Sequence, residues 1–436
     1  MKKIVEIKKL GINGEGIGYV NRKVCFIKGA LVGEKVEADI QQVNNKNFYI
    51  GQLLKIIKPS SHRVKSCCYQ HEVCQGCQLL HLAYPKQLEH KKALIQESIQ
   101  KYTDIDLSYV KVHDVIGMNQ REHYQMCADL PIVEFQNRVT FGIYQRESKY
   151  LTVMTGCMKH HPLINETLLK LEKIFTEHKC KTYNDKFKKG LRFIKIRVIA
   201  NQVHLVIITG QDGLKEEVIS EIKQIDLVKS LFMSINTSRY QDFEDQGYKK
   251  LFGNTKNNYV YDGKKYLISV KSDIPANQEA FMVINKVIRN MVKDSKKIIS
   301  LYSQLGIMEV LLDQEVVAFD EKKDHVEDAS YNARALGNDH VKFVYGPVDK
   351  KVIPFAKKKI YDTYIIRNEK NGISKSIKET LHLAKAQTII YVGINPSTMA
   401  KDLQDLSKYY QVSEIKPIDS HLYQSYVTTV IKLVRK

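Results

Sequence analysis

Four cysteines of this chain have the spacing of a metal-binding site. Cys68, Cys74 and Cys77 form a C-x5-C-x2-C run, and Cys157 follows at a distance. Gly76 allows the short arm of this run to turn sharply. Four thiolates from one tight loop and one remote segment can close a cage around a [4Fe-4S] cluster or a structural zinc ion. The spacing therefore predicts a metal site and leaves the metal open.

The other four cysteines have less distinctive positions. Cys67 allows a second register for the first ligand, Cys67-x6-Cys74. Cys25, Cys127 and Cys180 stand alone, and we expect them to be ordinary core residues. The last 256 residues contain no cysteine. Any reaction in that part of the chain therefore lacks a thiol of its own.

Length and composition indicate a multidomain globular protein. The chain has 436 residues, of which 43% are hydrophobic and 27% charged, and this excludes a mostly disordered or collagen-like protein. No apolar run approaches the roughly 18 residues of a transmembrane helix, and residues 1–6 predict a strand rather than a signal peptide. We therefore expect a cytosolic protein with no membrane partner. In the cytosol, clustered cysteines more often bind metal or act in catalysis than form disulfides.

The positive charge is unevenly distributed. Lys and Arg number 68 against 48 Asp and Glu, which gives +20, and +17 of this lies in the first 300 residues. A Lys-rich coding bias would raise Lys everywhere and would not leave residues 301–436 at only +3. Binding of a polyanion by the first 300 residues accounts better for the distribution.

The elements that must position these residues fall into three regions. Residues 1–60 alternate polar and apolar positions between glycine turns, which predicts a small β-barrel. Its predicted strands are 3–9, 17–20, 23–28, 34–41 and 48–57. Residues 61–278 predict an α+β domain with helices near 84–101, 162–177 and 213–225. From 279 to 436, strands and helices alternate, which predicts a doubly wound parallel sheet with an antiparallel edge.

The motifs in these three regions resemble those of the RNA 5-methyluridine methyltransferases, the 23S rRNA and tRNA (uracil-5-)-methyltransferases. The resemblance extends over essentially the whole length of the chain. Phe26–Glu34 and Pro59–Val64 resemble the TRAM domain of that family. The C-x5-C-x2-C run, Gly156-Cys157 and the following His161–Asn165 match its [4Fe-4S] ligands. Gly190–Arg197 and Leu251–Gly253 match its central domain.

The resemblance implies a fold and a set of binding residues. The fold class is multidomain α/β, with an OB-like TRAM barrel at 1–60, a central α+β domain with a four-cysteine cluster at 61–278, and a Rossmann-like methyltransferase domain at 279–436. It favours iron–sulfur over zinc at Cys68, Cys74, Cys77 and Cys157. It implies contacts from Gly306 and Asp320 to S-adenosylmethionine. The residues expected to bind RNA are Lys23, Lys28, Arg63, Lys188, Lys189, Arg192, Lys195 and Arg197.

The residues of methyl transfer depart from the family pattern. In the family a cysteine thiolate adds to uracil C6, and a base later removes the C5 proton. The nucleophile motif V-S-C-N-P-A-T-L-A-R-D-L corresponds here to Val392–Leu403, with Ile394 at the cysteine. The terminal H-V-E-T-V corresponds to Tyr426–Val430, with Thr428 at the glutamate.

Three further motifs are altered. The cofactor loop D-x-Y-C-G-x-G-T-x-G corresponds to Ser300–Glu309, where Gln304 and Glu309 replace glycines and Gly306 remains. F-Q-x-N corresponds to Ile274–Asn277 without its Gln. D-P-P-R-K-G corresponds to Arg367–Gly372, with the charge of its Asp reversed.

These departures predict a member of the family that binds structured RNA, rRNA or tRNA, without a catalytic residue. Its expected cofactor is a [4Fe-4S] cluster, the altered cofactor loop argues against S-adenosylmethionine, and we expect a monomer. One alternative is an active uridine C5-methyltransferase with an unrecognised nucleophile. The other is an inert, drifting paralogue whose basic surface is idle.

Overall fold

A computed structural model of the chain describes residues 1–74, 76–144, 151–238, 247–367 and 372–436. They form two compact units. The first unit is residues 1–118 with 367–436, and the second unit is residues 119–366. One compact unit can hold more than one domain, so the domain boundaries at 60/61 and 278/279 stay predictions.

The elements follow in chain order. The strands up to residue 153 are β1 (Lys2–Glu6), β2 (Lys9–Leu10), β3 (Gly16–Val20), β4 (Lys23–Ile27), β5 (Lys35–Gln42), β6 (Phe48–Lys58), β7 (Lys111–Val112), β8 (Cys127–Phe135), β9 (Arg138–Tyr144) and β10 (Leu151–Val153). Those up to residue 301 are β11 (Leu191–Ile199), β12 (Gln202–Thr209), β13 (Val228–Ile235), β14 (Lys249–Gly253), β15 (Lys256–Tyr261), β16 (Lys264–Ser269) and β17 (Lys297–Leu301). The later strands are β18 (Glu315–Asp320), β19 (Val341–Tyr345), β20 (Thr363–Ile366), β21 (Thr388–Gly393), β22 (Tyr410–Ile418) and β23 (Thr428–Arg435).

The helices lie between these strands. Those before residue 300 are α1 (His71–Cys74), α2 (Tyr84–Tyr102), α3 (Pro162–Glu177), α4 (Glu216–Lys223) and α5 (Gln278–Met291). The later ones are α6 (Ile307–Val310), α7 (Lys323–Ala335), α8 (Val348–Lys351), α9 (Ile353–Ala356), α10 (Lys375–Ala384) and α11 (Pro396–Leu406). No helix among the described residues has the length and apolar character needed to cross a membrane.

The first 58 residues form the predicted barrel. Its sheet has the order β1-β5-β6-β4-β3-β2. The two outer strands of this order, β1 and β2, are consecutive in the chain. The predicted strand 3–9 is therefore one segment that changes partner at Ile7, pairing with β5 before it and with β3 after it. This change of partner joins the two edges of the sheet and closes it.

A buried ion pair fixes the exit from the barrel. Glu34 is fully buried, and Arg63 donates to both of its carboxylate oxygens from Nε and NH2, at 2.6 and 2.8 Å. Arg63 also donates to the carbonyl of Gly29 at 2.6 Å. Burial raises the pKa of Glu34, but the hydrogen bonds from Arg63 and the backbone outweigh it, so the pKa lies below its usual value. The forked geometry of the guanidinium suits this bidentate contact.

The rest of the first unit contains the second half of the predicted C-terminal domain. Strand β23 pairs antiparallel with β21 and β22, and β22 pairs parallel with β7. The predicted antiparallel edge is therefore confirmed. Lys91 of α2 and Asp419, both fully buried, form an ion pair beside the β22–β23 connection.

The second unit has a seven-stranded sheet with the order β10-β9-β8-β11-β12-β13-β14. Helices α3 and α4 cover one face, where Ile194 and Ile196 of β11 join an extended apolar core. The other face carries Phe193, Lys195 and Arg197, which alternate with them along the same strand. Period-2 alternation explains this division.

Parallel strands complete the second unit. Strands β19, β18, β17 and β20 lie side by side and parallel, with α7 in the crossover from β18 to β19. Strands β17, β18 and β20 are buried almost throughout, as expected for strands covered on both faces, whereas β19 is buried only at Val341. The parallel strands predicted after residue 279 are confirmed, with boundaries within a few residues.

Candidate functional site

The predicted metal ligands lie in both units. Cys68, Cys74 and Cys77 are half-buried around the single turn of α1 in the first unit, where His71 Nε2 lies 2.8 Å from the carbonyl oxygen of Cys77. Gln75, between the second and third cysteines, lies outside the described residues. Cys157 belongs to the second unit, so the fourth predicted ligand comes from a different compact body.

Cys157 is held by the side chain of Asn165 in α3. The Cys157 amide donates to Asn165 Oδ1 at 3.2 Å, and Asn165 Nδ2 donates back to the Cys157 carbonyl at 2.9 Å. This two-way contact imitates a backbone pairing and fixes the position of the cysteine. Asn165 is thus a positioning residue that the spacing of cysteines alone did not reveal.

Within the described ranges, no group of three or more His, Cys, Asp or Glu side chains could hold a metal ion. The metal site predicted from the four thiols therefore has no support in the described residues and stays a prediction. Cys25 is fully buried, as predicted for a core residue, and burial raises its pKa to about 11. Burial also raises the pKa of Cys127 and Cys180.

The loop between β17 and α6 is the candidate cofactor loop. Tyr302, Gln304 and Gly306 all have left-handed backbone, with φ of 60°, 53° and 66°. Glycine adopts this conformation without strain, whereas a residue with a Cβ is strained there by about 1–2 kcal/mol. The loop thus keeps a glycine conformation at position 304 although the residue there is glutamine.

Gly306, predicted to contact the cofactor, faces the interior of its own unit. A Cβ at this position would lie 2.5 Å from the ring of Phe343 and 2.7 Å from the Cβ of Ala329. The backbone therefore needs glycine here for packing against β19 and α7. The presence of Gly306 follows from the fold and needs no ligand to explain it.

Asp320, at the end of β18, is surrounded by donors of its own chain. Its Oδ2 accepts from the amide of Gln304 at 2.8 Å, and its Oδ1 accepts from the amide of Lys322 at 2.9 Å. His325 Nδ1 lies 3.0 Å from Oδ1. The residue is 5% exposed. Both carboxylate oxygens are thus engaged within the protein.

The hydrogen bonds of His325 define its tautomer. The amide of Asp273 donates to His325 Nε2 at 3.2 Å, so Nε2 accepts and Nδ1 carries the proton given to Asp320. Lys322 Nζ forms an ion pair with Asp273 at 2.5 Å. Burial raises the pKa of Asp273, but the hydrogen bond and charge of Lys322 outweigh this and lower the pKa. The end of β18 is therefore a closed polar network.

A buried carboxylate stands where the family has its third glycine. Glu309 is fully buried in α6, and Ser300 Oγ of β17 donates to its Oε1 at 2.6 Å. Position 300 is an aspartate in the family motif. The two substitutions are thus in direct contact, with a hydroxyl donating to the carboxylate.

In the first unit, the predicted nucleophile motif spans the connection between β21 and α11. Ile394, at the position of the family nucleophile, is 6% exposed. The next residue, Asn395, caps α11, accepting from the amides of Ser397 and Thr398 at 3.0 and 3.2 Å. This is the usual role of Asn at a helix start.

Asp402 ties the start of α10 to the same strand and helix. Its Oδ2 accepts from the Ile373 amide at 2.9 Å and from the Tyr391 hydroxyl at 2.7 Å, and Lys378 Nζ lies 2.7 Å from Oδ1. Residues 368–371, which contain most of the altered D-P-P-R-K-G segment, lie outside the described residues. The scaffold of the nucleophile motif is thus kept around Ile394.

Thr428, at the position of the family base, begins β23. It is 2% exposed, and its Oγ1 lies 2.5 Å from Ser420 Oγ, which in turn lies 2.8 Å from His421 Nδ1. A hydroxyl has no proton-accepting strength comparable to a carboxylate at neutral pH. Thr428 therefore supplies a structural hydrogen bond.

The predicted RNA-binding residues differ in how free they are. Lys28 and Lys189 are exposed, and Lys23 lies 5.9 Å from the ring centre of Tyr49. Lys188 contacts Asp185 at 2.5 Å. Arg63 is engaged with Glu34 as described above. These residues stay predictions as RNA contacts.

The three basic residues of β11 have partners inside the second unit. Arg192 lies 4.7 Å from the ring centre of Tyr183, and its NH1 donates to the carbonyl of Asn236 at 2.8 Å. Arg197 is 7% exposed and pairs with Asp129 at 2.6 Å. Lys195 Nζ donates to the hydroxyl of Tyr248 at 3.3 Å. Their alternation with apolar residues did not reveal these partners, because Asp129 and Asn236 are distant in the sequence.

The chain is similar to other proteins over its whole length. A TRAM domain model matches residues 3–54. An uncharacterised RNA methyltransferase of Bacillus cereus is 31% identical, covering 99% of this chain and 96% of its own length. Another, from Streptococcus pyogenes, is 27% identical over 99% of this chain and 98% of the relative. The fold is shared with the Pyrococcus abyssi tRNA (uracil-54, C5)-methyltransferase solved with S-adenosyl-L-homocysteine, at a TM-score of 0.78 and 22% identity over the whole of both chains.

Replacing Gln304 by glycine should stabilise the protein. Gln304→Gly relieves the left-handed strain and keeps the amide that binds Asp320, and we expect a gain of up to about 1 kcal/mol in the free energy of unfolding. Chemical denaturation measures it. Gln202→Gly, in the extended strand β12, is the matched control and should destabilise. A loss of stability in Gln304→Gly would show that the Gln side chain, and not the backbone, governs this position.

Proposed function

The chain belongs to the RNA 5-methyluridine methyltransferase family, and we propose that it is a member that binds structured RNA, rRNA or tRNA, without transferring a methyl group. The observation that carries this proposal is Ile394 at the position of the nucleophile. A hydrocarbon side chain cannot add to C6 of a pyrimidine, and C5 of uracil is too weak a nucleophile without that addition. The part of the chain that should carry the reaction contains no thiol, since the last cysteine is Cys180.

The environment of Ile394 supports the loss of reaction rather than a shifted mechanism. Asn395 and Asp402 keep the loop in place by capping α11 and tying it to β21. A working alternative would need a nucleophile beside a base. At the base position, Thr428 offers a buried hydroxyl that already contacts Ser420.

The cofactor loop supports the same proposal. The family contacts S-adenosylmethionine through a glycine loop and an acid after the second strand. In this chain Gln304 occupies the first glycine position, and Glu309 fills the third with a buried carboxylate. Asp320 is engaged by Gln304, Lys322 and His325. A ribose would have to displace these internal donors before it could use the carboxylate.

RNA binding rests on different parts of the chain. The TRAM match covers residues 3–54, and the first 300 residues hold +17 of the net charge. Exposed Lys28 and Lys189 are accessible to phosphates. Phosphate contacts of this kind supply affinity without reading sequence. A protein that kept this surface and lost the reaction could assist the folding or assembly of structured RNA.

Cofactor binding separates this proposal from an active methyltransferase. Calorimetric titration of the full chain with S-adenosylmethionine should give no binding at micromolar concentrations. The reason is that Glu309 places a buried carboxylate at the third glycine position of the cofactor loop and that Gln304 has a strained, left-handed backbone. Incubation with labelled S-adenosylmethionine and total RNA should leave the RNA unlabelled. A micromolar dissociation constant, or label in uridine C5, would contradict the proposal and favour an unrecognised nucleophile.

RNA binding separates it from an inert paralogue. Lys188→Glu with Lys189→Glu should weaken binding of a structured RNA about tenfold or more and lower the salt slope by about two. Fluorescence anisotropy at several salt concentrations measures both. The same reversal at Lys357 and Lys358, exposed in the nearly neutral last part, is the charge-matched control and should change binding much less. Wild-type protein without affinity for any structured RNA would indicate that the chain is an inert paralogue.

The proposal includes a [4Fe-4S] cluster. Two arguments support it, namely family membership and the spacing of Cys68, Cys74, Cys77 and Cys157. Bound, it would be held by four thiolates. Protein purified without oxygen should then be brown and contain iron and acid-labile sulfide. Cys157→Ser should lower the iron content, whereas Cys180→Ser should leave it unchanged. Colourless wild-type protein without iron would remove the cluster from the proposal.

A further inference from the structure

The outer face of the barrel carries two rows of apolar and aromatic side chains. Strand pairing places Tyr19 opposite Val24, and Val24 beside Phe48. It likewise places Ile17 opposite Phe26, and Phe26 beside Ile50. Side chains at paired positions point to the same side of a sheet. Ile17 is buried, at 7% exposure, and we call the other five residues the aromatic face.

The aromatic face points away from the barrel core. The intervening residues Cys25, Ile27 and Tyr49 are buried in the apolar core of the barrel. Because successive residues of a strand point to opposite sides, Val24, Phe26, Phe48 and Ile50 must point outward. In the whole described chain, Tyr19 remains 55% exposed and Ile50 51% exposed.

The rings are arranged as a surface rather than as a second core. Phe26 and Phe48 meet edge to face, with ring centres 5.4 Å apart, and both are only half-buried. Tyr19 lies in the same row as Phe48 but two strands away, with Val24 of β4 between them. An exposed group of apolar and aromatic side chains on a soluble domain marks a contact surface. Aromatic rings in particular can stack on unpaired nucleobases.

Positive charge borders the aromatic face. Lys46 Nζ lies 5.5 Å from the ring centre of Phe48, and exposed Lys28 follows Phe26 by two residues. Residues 1–60 carry a net charge of +6. Three of their acidic side chains are in ion pairs elsewhere, namely Glu6 with Lys8, Glu34 with Arg63 and Asp39 with the N-terminus. The charge complements a phosphate backbone.

We propose that the aromatic face binds the unpaired bases of a single-stranded segment of RNA, with Lys28 and Lys46 beside the phosphates. The proposal rests on the RNA-binding function proposed above and names the part of the RNA that the barrel recognises. Rings flanked by lysines favour this occupant over a duplex, whose bases are already stacked on one another. They favour it over a protein partner, because the border of the face is cationic.

Removal of Tyr19 tests the proposal, because its exposed ring supports little of the fold. With the full chain, Tyr19→Ala should weaken binding of a 12-residue oligouridine about tenfold, as expected for one stacked base. Binding of a fully paired RNA duplex of equal length should change less than twofold. Tyr19→Trp should bind oligouridine at least as well as the wild type. Fluorescence anisotropy at fixed salt concentration measures all of these.

A matched control is available in Tyr109, which is 79% exposed and lies outside the barrel. Tyr109→Ala should leave oligouridine binding unchanged. Thermal unfolding of Tyr19→Ala should match that of the wild type, and Phe48→Leu provides a second variant that keeps an apolar residue while removing a ring. Wild-type oligouridine affinity in both Tyr19→Ala and Phe48→Leu would overturn the proposal.

The design also separates this inference from the function on which it depends. If Tyr19→Ala keeps its oligouridine affinity while Lys188→Glu with Lys189→Glu loses affinity for structured RNA, the aromatic face is wrong and RNA binding stands. If the wild type binds neither RNA, the proposed function fails and the aromatic face fails with it. Equal loss of duplex and oligouridine binding in Tyr19→Ala would also contradict base stacking.

Discussion

The carboxylate of Asp320 is the contact on which the candidate cofactor site depends. It accepts the amide of Gln304 from one loop and the amide of Lys322 from the next, and His325 approaches the same oxygen as Lys322. An ionised carboxylate that accepts several N–H bonds is a strong local anchor. It holds the β17–α6 loop in its left-handed form even where glutamine has replaced glycine. In most Rossmann-type sites an acid at this place serves a ligand, whereas here it serves the loop.

Much of the fold could be predicted from sequence because local patterns and tertiary packing agree. Helix α3 begins and ends at the predicted residues, 162 and 177, since Pro162 starts it and His161 caps it. The parallel strands after residue 297 are short apolar runs between polar helices, so periodicity located them. The partner change at Ile7 could not be predicted, because residues 3–9 read as one continuous strand and only the pairing with β3 and β5 divides it. Closure depends on distant partners.

The site was predictable as a set of positions and not as a set of contacts. Alignment of motifs located Ile394, Thr428 and Gln304 directly in the sequence. The hydrogen-bonding and ion-pair partners of the basic and acidic residues could be identified only from the structure. They are Asp129 for Arg197, Asn236 for Arg192, and His325 for Asp320. Each pair joins residues from different strands or loops, and a strand pattern states burial without naming the neighbour. Spacing likewise suggested a cage of four thiols, but a spacing fixes no distance between Cys157 and the other three.

The packing of Gly306 against Phe343 has a consequence for how such a sequence changes over generations. Four residues of the methyltransferase motifs also have a structural role. Gly306 leaves room for the ring of Phe343, Asn277 and Asn395 cap helices, and Asp402 ties a strand to a loop. Ile394 and the side chain of Gln304 occupy motif positions without such a structural role. Under the proposed function the reaction is no longer under selection, so residues of the second kind are free to drift while those of the first kind are retained. A chain of this type therefore keeps a recognisable half of its motifs, and that half records the demands of folding alone.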